Sequence, residues 1–398
     1  MRAAILTAGC RLNQSESDAL RAMLLRQGVA VVADPAQADV CYVNTCTVTG
    51  AADRSSMQLV RRAARSGARL VVMGCLVERD QDRVKDIEGV SDVWGNADKE
   101  RRLARFGPSP ERSRALLKVQ DGCDRDCAYC VVSGLRGAPA SVPASEVEKR
   151  FLSLVDDGFR EVVLTGLNLG LYNDGGIGLA GLVRRLLDSD GRARVRLGSV
   201  EPDTADRRLL DVLREPRVCP HLHLPMQTGD DRLLGRMGRR YSTGRFAELV
   251  RQTRKARPDV NIGVDVIAGL PGEDDASFRR TEDLVRSLRP GYLHAFSFSP
   301  RPGTRAASMD RVPSAATRRL RVSRLREVSV RLREEYESRY VGSVRRAVVE
   351  TRSAALTDNY MRLRLRCDRA PKPRSLVDVQ VVNGKDGGRE GVVTAFSR

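Results

Sequence analysis

Three of the nine cysteines fall within eight residues, Cys123, Cys127 and Cys130, spaced C-x3-C-x2-C. Thiols held that closely in one loop suit a metal centre. A structural zinc would take a fourth Cys or His nearby, yet the next candidate in the chain is Cys219. A [4Fe–4S] cluster ordinarily takes four cysteines, so three leave one iron open to a different ligand. Chemistry can proceed at such an iron. A second set is spread out, in Gly9-Cys10, Thr45-Cys46 and Gly74-Cys75.

The elements around each set explain how the thiols would be positioned. Residues 2–7, 40–44 and 70–73 read as buried strands, and helical spacing covers 15–27, 51–65 and 77–87. Strands alternating with helices predict a parallel α/β sheet. Each dispersed cysteine lies just past the end of a strand, and the carboxyl ends of neighbouring strands line one crevice. Cysteines 36 and 29 residues apart therefore converge in space. Cys41, inside a strand, reads as a packing thiol, and so do Cys219 and Cys367.

Beyond Cys130 the same alternation resumes. Strands are expected at 161–165, 194–199, 222–224, 261–267 and 292–298, and helices at 145–157, 179–187, 204–214, 245–256 and 276–288. This is a βα-barrel pattern, whose active residues belong at strand carboxyl ends. Those ends read Thr165-Gly166-Leu167-Asn168, Ser199-Val200-Glu201-Pro202, Gln227-Thr228-Gly229 and Gly269-Leu270-Pro271-Gly272-Glu273. His221 and His223 flank Leu222 on one face of a strand, where satisfied barrel histidines are the plainer reading and catalysis the sharper one. Residues 106–113, with Gly107, Pro108 and Pro110, read as a linker.

The loop around Tyr129, the aromatic before the last cysteine, resembles the signature of radical S-adenosylmethionine (SAM) enzymes. The stretches Thr7-Ala8-Gly9-Cys10-Arg11-Leu12-Asn13-Gln14, Val43-Asn44-Thr45-Cys46-Thr47-Val48-Thr49 and Gly74-Cys75 look like the N-terminal domain of radical SAM methylthiotransferases. The resemblance implies an α/β protein in three parts. These are an N-terminal parallel α/β domain over 1–107, a radical SAM partial (βα)6 barrel over 114–338, and a small C-terminal β-barrel over 339–398. It also implies two [4Fe–4S] clusters, one on Cys123, Cys127 and Cys130 with SAM at its open iron, and an auxiliary one on Cys10, Cys46 and Cys75 for sulfur transfer. Tyr129, Thr165 and Gly166, Glu201 and Gly269 are the expected SAM contacts, Thr165 and Gly166 at the methionyl amine, Glu201 at the ribose and Gly269 at the adenine. The chain departs from the family after Cys130. Val132-Ser133-Gly134-Leu135 stands where a proline is usual, and Ala138-Pro139-Ala140-Ser141 follows Arg136-Gly137 in place of an Arg-Ser-Arg run.

Net charge is +18 over 398 residues, carried almost wholly by arginine. A GC-rich genome would account for Arg over Lys but not for the excess of bases over acids. Residues 1–100 balance at 13 basic and 13 acidic, whereas residues 339–398 carry 13 against 6. A basic terminal module is the footprint of a polyanion, with nucleic acid the first candidate. Residues 314–337 read as an amphipathic helix with Leu320, Leu325, Val328 and Leu332 inward. Short strands are expected at 345–351, 360–365 and 376–382. Thr357-Asp358-Asn359-Tyr360 resembles the TRAM domain, a tRNA-binding module. On that reading Arg362, Arg364 and Arg366 meet phosphate while Tyr360 stacks on a base.

No apolar run spans a bilayer and no charged-then-apolar leader stands at the start, so a cytoplasmic protein is expected, with thiols kept reduced. The resemblance implies an enzyme that puts a methylthio group on tRNA at the anticodon stem-loop, fed by a reduced flavodoxin or ferredoxin-type donor. Asn44–Thr49 with Ala52-Asp53, Cys219-Pro220-His221-Leu222-His223-Leu224-Pro225, and Arg239-Arg240-Tyr241 resemble the branch acting on N6-threonylcarbamoyladenosine at position 37. Arg239 or Arg240 is the expected cation for that nucleoside's carboxylate. The alternatives are isopentenyladenosine-37 or a ribosomal protein as substrate, and a non-catalytic Fe–S protein that binds RNA.

Overall fold

A computed structural model describes residues 1–103, 106–107, 112–367, 370–384 and 387–396. The N-terminal sheet has five parallel strands in the spatial order Ala30–Val32, Arg2–Thr7, Val40–Thr45, Arg69–Gly74, Val90–Trp94. The three central strands are those expected. The outer two are a three-residue edge, apolar but too short to stand out as a strand, and the mixed sequence Val90-Ser91-Asp92-Val93-Trp94. Helices cover both faces, so the central strand Val40–Thr45 is buried at every position, as parallel sheets require. The helix expected over 77–87 is two short pieces, Cys75–Arg79 and Gln81–Lys85, broken at Asp80. The helix Asn96–Leu103 follows the last strand. Of the expected linker, Pro108 and Pro110 lie outside the described residues.

Six parallel strands form the middle part: Ala115–Lys118, Glu161–Thr165, Arg194–Leu197, His221–Gln227, Asn261–Ala268 and Tyr292–Ser297. Two isolated parallel bridges, Val195 with Val218 and Ser199 with His223, join the first three to the last three. The first strand was not foreseen. The sixth strand packs against the helix Ala315–Ser338, where Ser329 Oγ both accepts from Leu293 N at 3.1 Å and donates to Leu293 O at 3.0 Å. That helix buries Val322, Leu325, Val328, Leu332 and Tyr336, but Leu320, expected inward, is 62% exposed. Buried Arg321 lies on the inward side instead, paired with Glu273.

The C-terminal strands Val344–Thr351, Ala354–Thr357, Arg362–Arg366, Leu376–Asn383 and Arg389–Phe396 close into a barrel. Its interior is filled by Ala347, Val349, Leu363, Val377, Val379 and Val381. This barrel does not stand apart. Its 357–360 turn enters the amino-terminal end of the central barrel, where Arg196 donates to the carbonyls of Asp358 and Thr357 and Asn261 donates to that of Asn359. Tyr360, at φ 70°, is thereby carried inward to stack on His221 at 4.2 Å between ring centroids. Arg11 of the N-terminal domain donates to its hydroxyl at 2.7 Å. Tyr360 is thus half-buried and engaged by His221 and Arg11, rather than standing free on the strand as a stacking platform. Arg362, Arg364 and Arg366 do alternate outward as expected.

Candidate active site

The dispersed cysteines follow three adjacent strands. Cys10 begins the helix Arg11–Arg26, Cys46 directly follows its strand, and Cys75 begins the helix Cys75–Arg79. The glycines before Cys10 and Cys75 are structural necessities. Gly9 and Gly74 sit at φ 108° and 106°, and a Cβ on Gly9 would come within 2.5 Å of Cys46 Cβ. The loops are laced by Asn13, which donates to Ala8 O and Thr45 O, and by Ser56, whose Oγ accepts from Cys46 N and donates to Cys46 O. Cys46 and Cys75 are buried while Cys10 is exposed. Burial pushes the Cys46 thiol up to about 11, with Cys10 and Cys75 adding to the rise. Burial likewise raises Cys75, against the opposing charges of Arg136 and Lys99. Such thiols stay inert until a cation takes them as thiolates.

The clustered cysteines sit on a loop fastened from three sides. Gln120 Nε2 donates to Gly122 O at 2.7 Å while its Oε1 accepts from Asn168 N. Cys123 N donates to Gly137 O at 3.0 Å, Ala128 N to Met237 O at 3.0 Å, and Ala306 N to Ala128 O at 2.7 Å. The sulfurs meet donors: Arg125 N reaches Cys123 Sγ at 3.4 Å, and Arg239 Nη1 reaches Cys127 Sγ at 3.3 Å. Arg239 also donates to Tyr129 OH and ion-pairs with Glu201.

A family model for the radical SAM superfamily matches residues 117–285, and one described as the uncharacterized protein family UPF0004 matches residues 2–95. The chain is 33% identical to the threonylcarbamoyladenosine tRNA methylthiotransferase MtaB of Thermotoga maritima, over 87% of this chain and 86% of that one. It is 32% identical to the MtaB of Aquifex aeolicus, over 91% and 96%. The chain belongs to the radical SAM methylthiotransferase family. A tRNA-2-methylthio-N(6)-dimethylallyladenosine synthase of Endomicrobium trichonymphae matches at 32%, over 87% and 88%. Overall identity therefore does not separate the two branches. In fold, the radical SAM methyltransferase TsrM of Kitasatospora setae superposes with a TM-score of 0.58 at 14% identity, over 77% of this chain and 74% of that chain.

As a member of this family the enzyme uses SAM and [4Fe–4S] clusters, and its own residues fit them. Three cysteines per site, with N–H donors and a guanidinium on the sulfurs of one, match the donor set of a cluster. Asn168 lies beside Cys123, with Nδ2 at 4.0 Å from its sulfur, and its buried Oδ1 has no partner among the described residues. An acceptor left open there suits an ammonium group. Of the expected SAM contacts, Thr165 is buried with its carbonyl taken by Val119 N, and Gly166 lies against Gln120. Glu201 sits beside the cluster loop, and burial raises its pKa against the pull of Arg239. Gly269, at φ 82°, accepts the side-chain stem of Arg318 where a Cβ would stand.

Arg239 departs from its expected role. Its side chain is 4% exposed and committed to Glu201, Cys127 and Tyr129, so it serves the cluster loop rather than a substrate carboxylate. Arg240 is exposed.

Between the two thiol sets lies a cleft of about 220 Å³ lined by Val48, Thr49, Tyr129, Gln227, Asp265 and Phe296, among others. Its lining joins the loop after Cys46 to the loop of Cys130. Behind Val48 and Thr49, Arg79 and Arg301 both pair with the single carboxylate of Asp53 at 2.6 Å and both donate to Thr47 Oγ1. The buried Nε of Arg301 has no partner among the described residues. Two guanidiniums on one acid leave a surplus positive charge. Sequence reasoning did not reach this group, because Arg79, Asp53 and Arg301 are far apart in the chain. The signal for Asp265 was present, as the one acid inside the apolar strand Asn261–Ala268.

Proposed function

We propose that this methylthiotransferase adds a methylthio group to C2 of N6-threonylcarbamoyladenosine at position 37 of tRNA. The carrying observation is the Arg79–Asp53–Arg301 group behind Val48 and Thr49. The threonylcarbamoyl group bears a carboxylate, whereas an isopentenyl group would want only an apolar wall. The surplus positive charge of that group, whose more accessible member is Arg79 at 18% exposed, draws such a carboxylate toward this wall of the cleft.

In this reading the chain works as three functional parts, 1–107, 114–338 and 339–398. Cys123, Cys127 and Cys130 hold one [4Fe–4S] cluster, and Cys10, Cys46 and Cys75 the auxiliary one. When bound, these groups supply a 5′-deoxyadenosyl radical to remove the substrate hydrogen, and a methylated sulfur to replace it. The protein's own residues orient and shield that chemistry. Asn168, Thr165 and Gly166 take the methionyl end of SAM, and Glu201, its carboxylate steadied by Arg239, takes a ribose hydroxyl. Tyr129 walls the cleft. A reduced flavodoxin or ferredoxin-type protein provides electrons, and the exposed arginines of the last strands meet the anticodon stem-loop. No helix among the described residues is long and apolar enough to cross a membrane, and a cytoplasmic site of action accords with a tRNA substrate.

Mass spectrometry of tRNA nucleosides from cells with and without the gene tests this. Loss of methylthio-threonylcarbamoyladenosine alone is expected. Loss of the methylthio-isopentenyl nucleoside instead would favour the second branch, for which Ile267, Phe296 and Phe298 would form the wall.

A further inference from the structure

All three histidines of the chain meet in the central barrel. His221 and His223 project from one strand, and His294 from the last. They are tied through Tyr292 and Asp265 into one line of hydrogen bonds. Tyr292 OH lies 2.8 Å from His221 Nε2 and 3.1 Å from His223 Nδ1. Asp265 Oδ1 lies 3.0 Å from His223 Nε2 and 3.2 Å from His294 Nδ1. Tyr292 can pass between the strands because Gly263 has no side chain there: a Cβ would lie 2.1 Å from its ring.

Proton placement along this line is set by its buried end. His221 is fully buried, and burial holds it neutral. Its Nδ1 has no partner among the described residues. An orphaned lone pair is tolerated better than an orphaned N–H, so Nε2 carries the proton and donates to Tyr292. Tyr292 then donates to His223 Nδ1, leaving His223 Nε2–H to donate to Asp265. His294 donates to the same oxygen. Asp265 receives both bonds on Oδ1, and these histidines hold its carboxyl well below the usual range despite burial. It is an ionised acceptor whose Oδ2 takes neither of these bonds. Asp265 also lines the cleft between the thiol sets, alongside Tyr129, Val48, Ile267 and Phe296.

A fixed anionic acceptor in a cleft with apolar walls selects a ligand that brings an N–H. We propose that Asp265 is the subsite for the exocyclic N–H of the target adenosine, with His223 and His294 as its positioning residues. This rests on the reading of the substrate as a tRNA adenosine substituted at N6. It holds for either branch, because each N6-substituted base keeps one N6–H. With that hydrogen on Asp265, the N6 substituent is directed across the cleft toward Val48, Thr49 and the arginines behind them.

The test uses the reconstituted full-length enzyme and two anticodon stem-loop RNAs, one with N6-methyladenosine at position 37 and one with N6,N6-dimethyladenosine. Only the first has the N–H. Fluorescence anisotropy should show the dimethyl RNA binding about tenfold or more weakly to the wild type, the scale of one hydrogen bond to a charged partner. Asp265→Asn turns an amide N–H toward the ligand while its oxygen still serves His223, and should bring the ratio close to one. His294→Gln, at a side chain 56% exposed, should lower the ratio without loss of fold. Equal binding of both RNAs by the wild type would overturn the proposal. So would an Asp265→Asn enzyme that keeps the discrimination but loses affinity for SAM, which would place this acid at the cofactor. Mn²⁺ bound by the wild type and lost in both variants would make the trio a metal site instead. Loss of the expected tRNA nucleoside assignment in cells, with the RNA discrimination intact, would sink the branch reading alone.

Discussion

Arg136 Nη1 donates to Glu16 Oε1 at 2.9 Å, joining the loop of one cysteine triad to the helix that begins at the other. The pair is nearly sealed from solvent, and Arg136 also reaches Asp121 at 3.0 Å and Asn13 at 3.1 Å. Lys99 pairs with Glu16 from the far side at 2.8 Å. The spacing between the two cluster sites is therefore held by a buried charge network rather than by a flexible linker.

Removing Arg136 should be costly. Arg136→Met leaves Glu16 and Asp121 facing each other with less compensation, and breaking a buried pair from one side costs about 3–5 kcal/mol. The low end is expected here, because Lys99 still pairs with Glu16. A lowered denaturation midpoint, with Arg136→Lys falling between wild type and Arg136→Met, is the outcome to check.

The cysteine sets should separate by iron content. Replacing Cys123, Cys127 and Cys130 together with Ala should remove about half the iron and abolish SAM cleavage. Replacing Cys10, Cys46 and Cys75 should also remove half, but the loss of sulfur insertion should far exceed the loss of SAM cleavage. Iron assay and 5′-deoxyadenosine release on the two triple variants decide it. A second variant with full iron and full product would remove the auxiliary assignment.

Both thiol sets were legible because each is a local signal: three cysteines in one loop, or one cysteine at the end of each strand. Most central strands were legible from their longer apolar runs, whereas the short runs Ala30–Val32 and Ala115–Lys118 and the mixed edge Val90–Trp94 were missed. What the sequence could not convey was long-range pairing. Arg136 was visible only as part of an Arg-Gly pair, since its partner Glu16 is 120 residues away. Tyr360 looked like part of an alternating strand, but its positive φ turns it into the central barrel. Arg239 looked like a free cation until Glu201 and Cys127 were placed beside it.

Stability should depend on acid through Glu161. This carboxylate is fully buried between Arg194 and Arg196 at the seam with the C-terminal barrel. Burial opposes its ionisation, but the two guanidiniums prevail and hold it far below its ordinary 4.5. A depressed folded value contributes stability above the unfolded value, and that contribution is lost as pH falls below it. At pH 7 Glu161→Gln should therefore be less stable than wild type by several kcal/mol. The gap should narrow as pH drops below about 4.5. Paired urea titrations at several pH values measure the difference directly, and a gap independent of pH would contradict it.

The last strands should supply affinity for tRNA through charge alone. Arg362 and Arg366 are 72% and 62% exposed and pair with Glu350 and Glu390. Such pairs are weak in water and can be exchanged for phosphate. Each of Arg362→Ala and Arg366→Ala should weaken tRNA binding and reduce the slope of log affinity against log salt by up to about one unit. Deleting residues 340–398 is a different experiment. It would strip Arg194, Arg196 and Asn261 of their carbonyl partners and leave His221 without Tyr360. The truncated enzyme should thus lose stability and the order of its central barrel as well as affinity. Tyr360→Ala separates the two effects: it should lower the melting temperature while leaving the salt slope as in the wild type. A flattened slope in Tyr360→Ala would instead return that ring to the RNA surface.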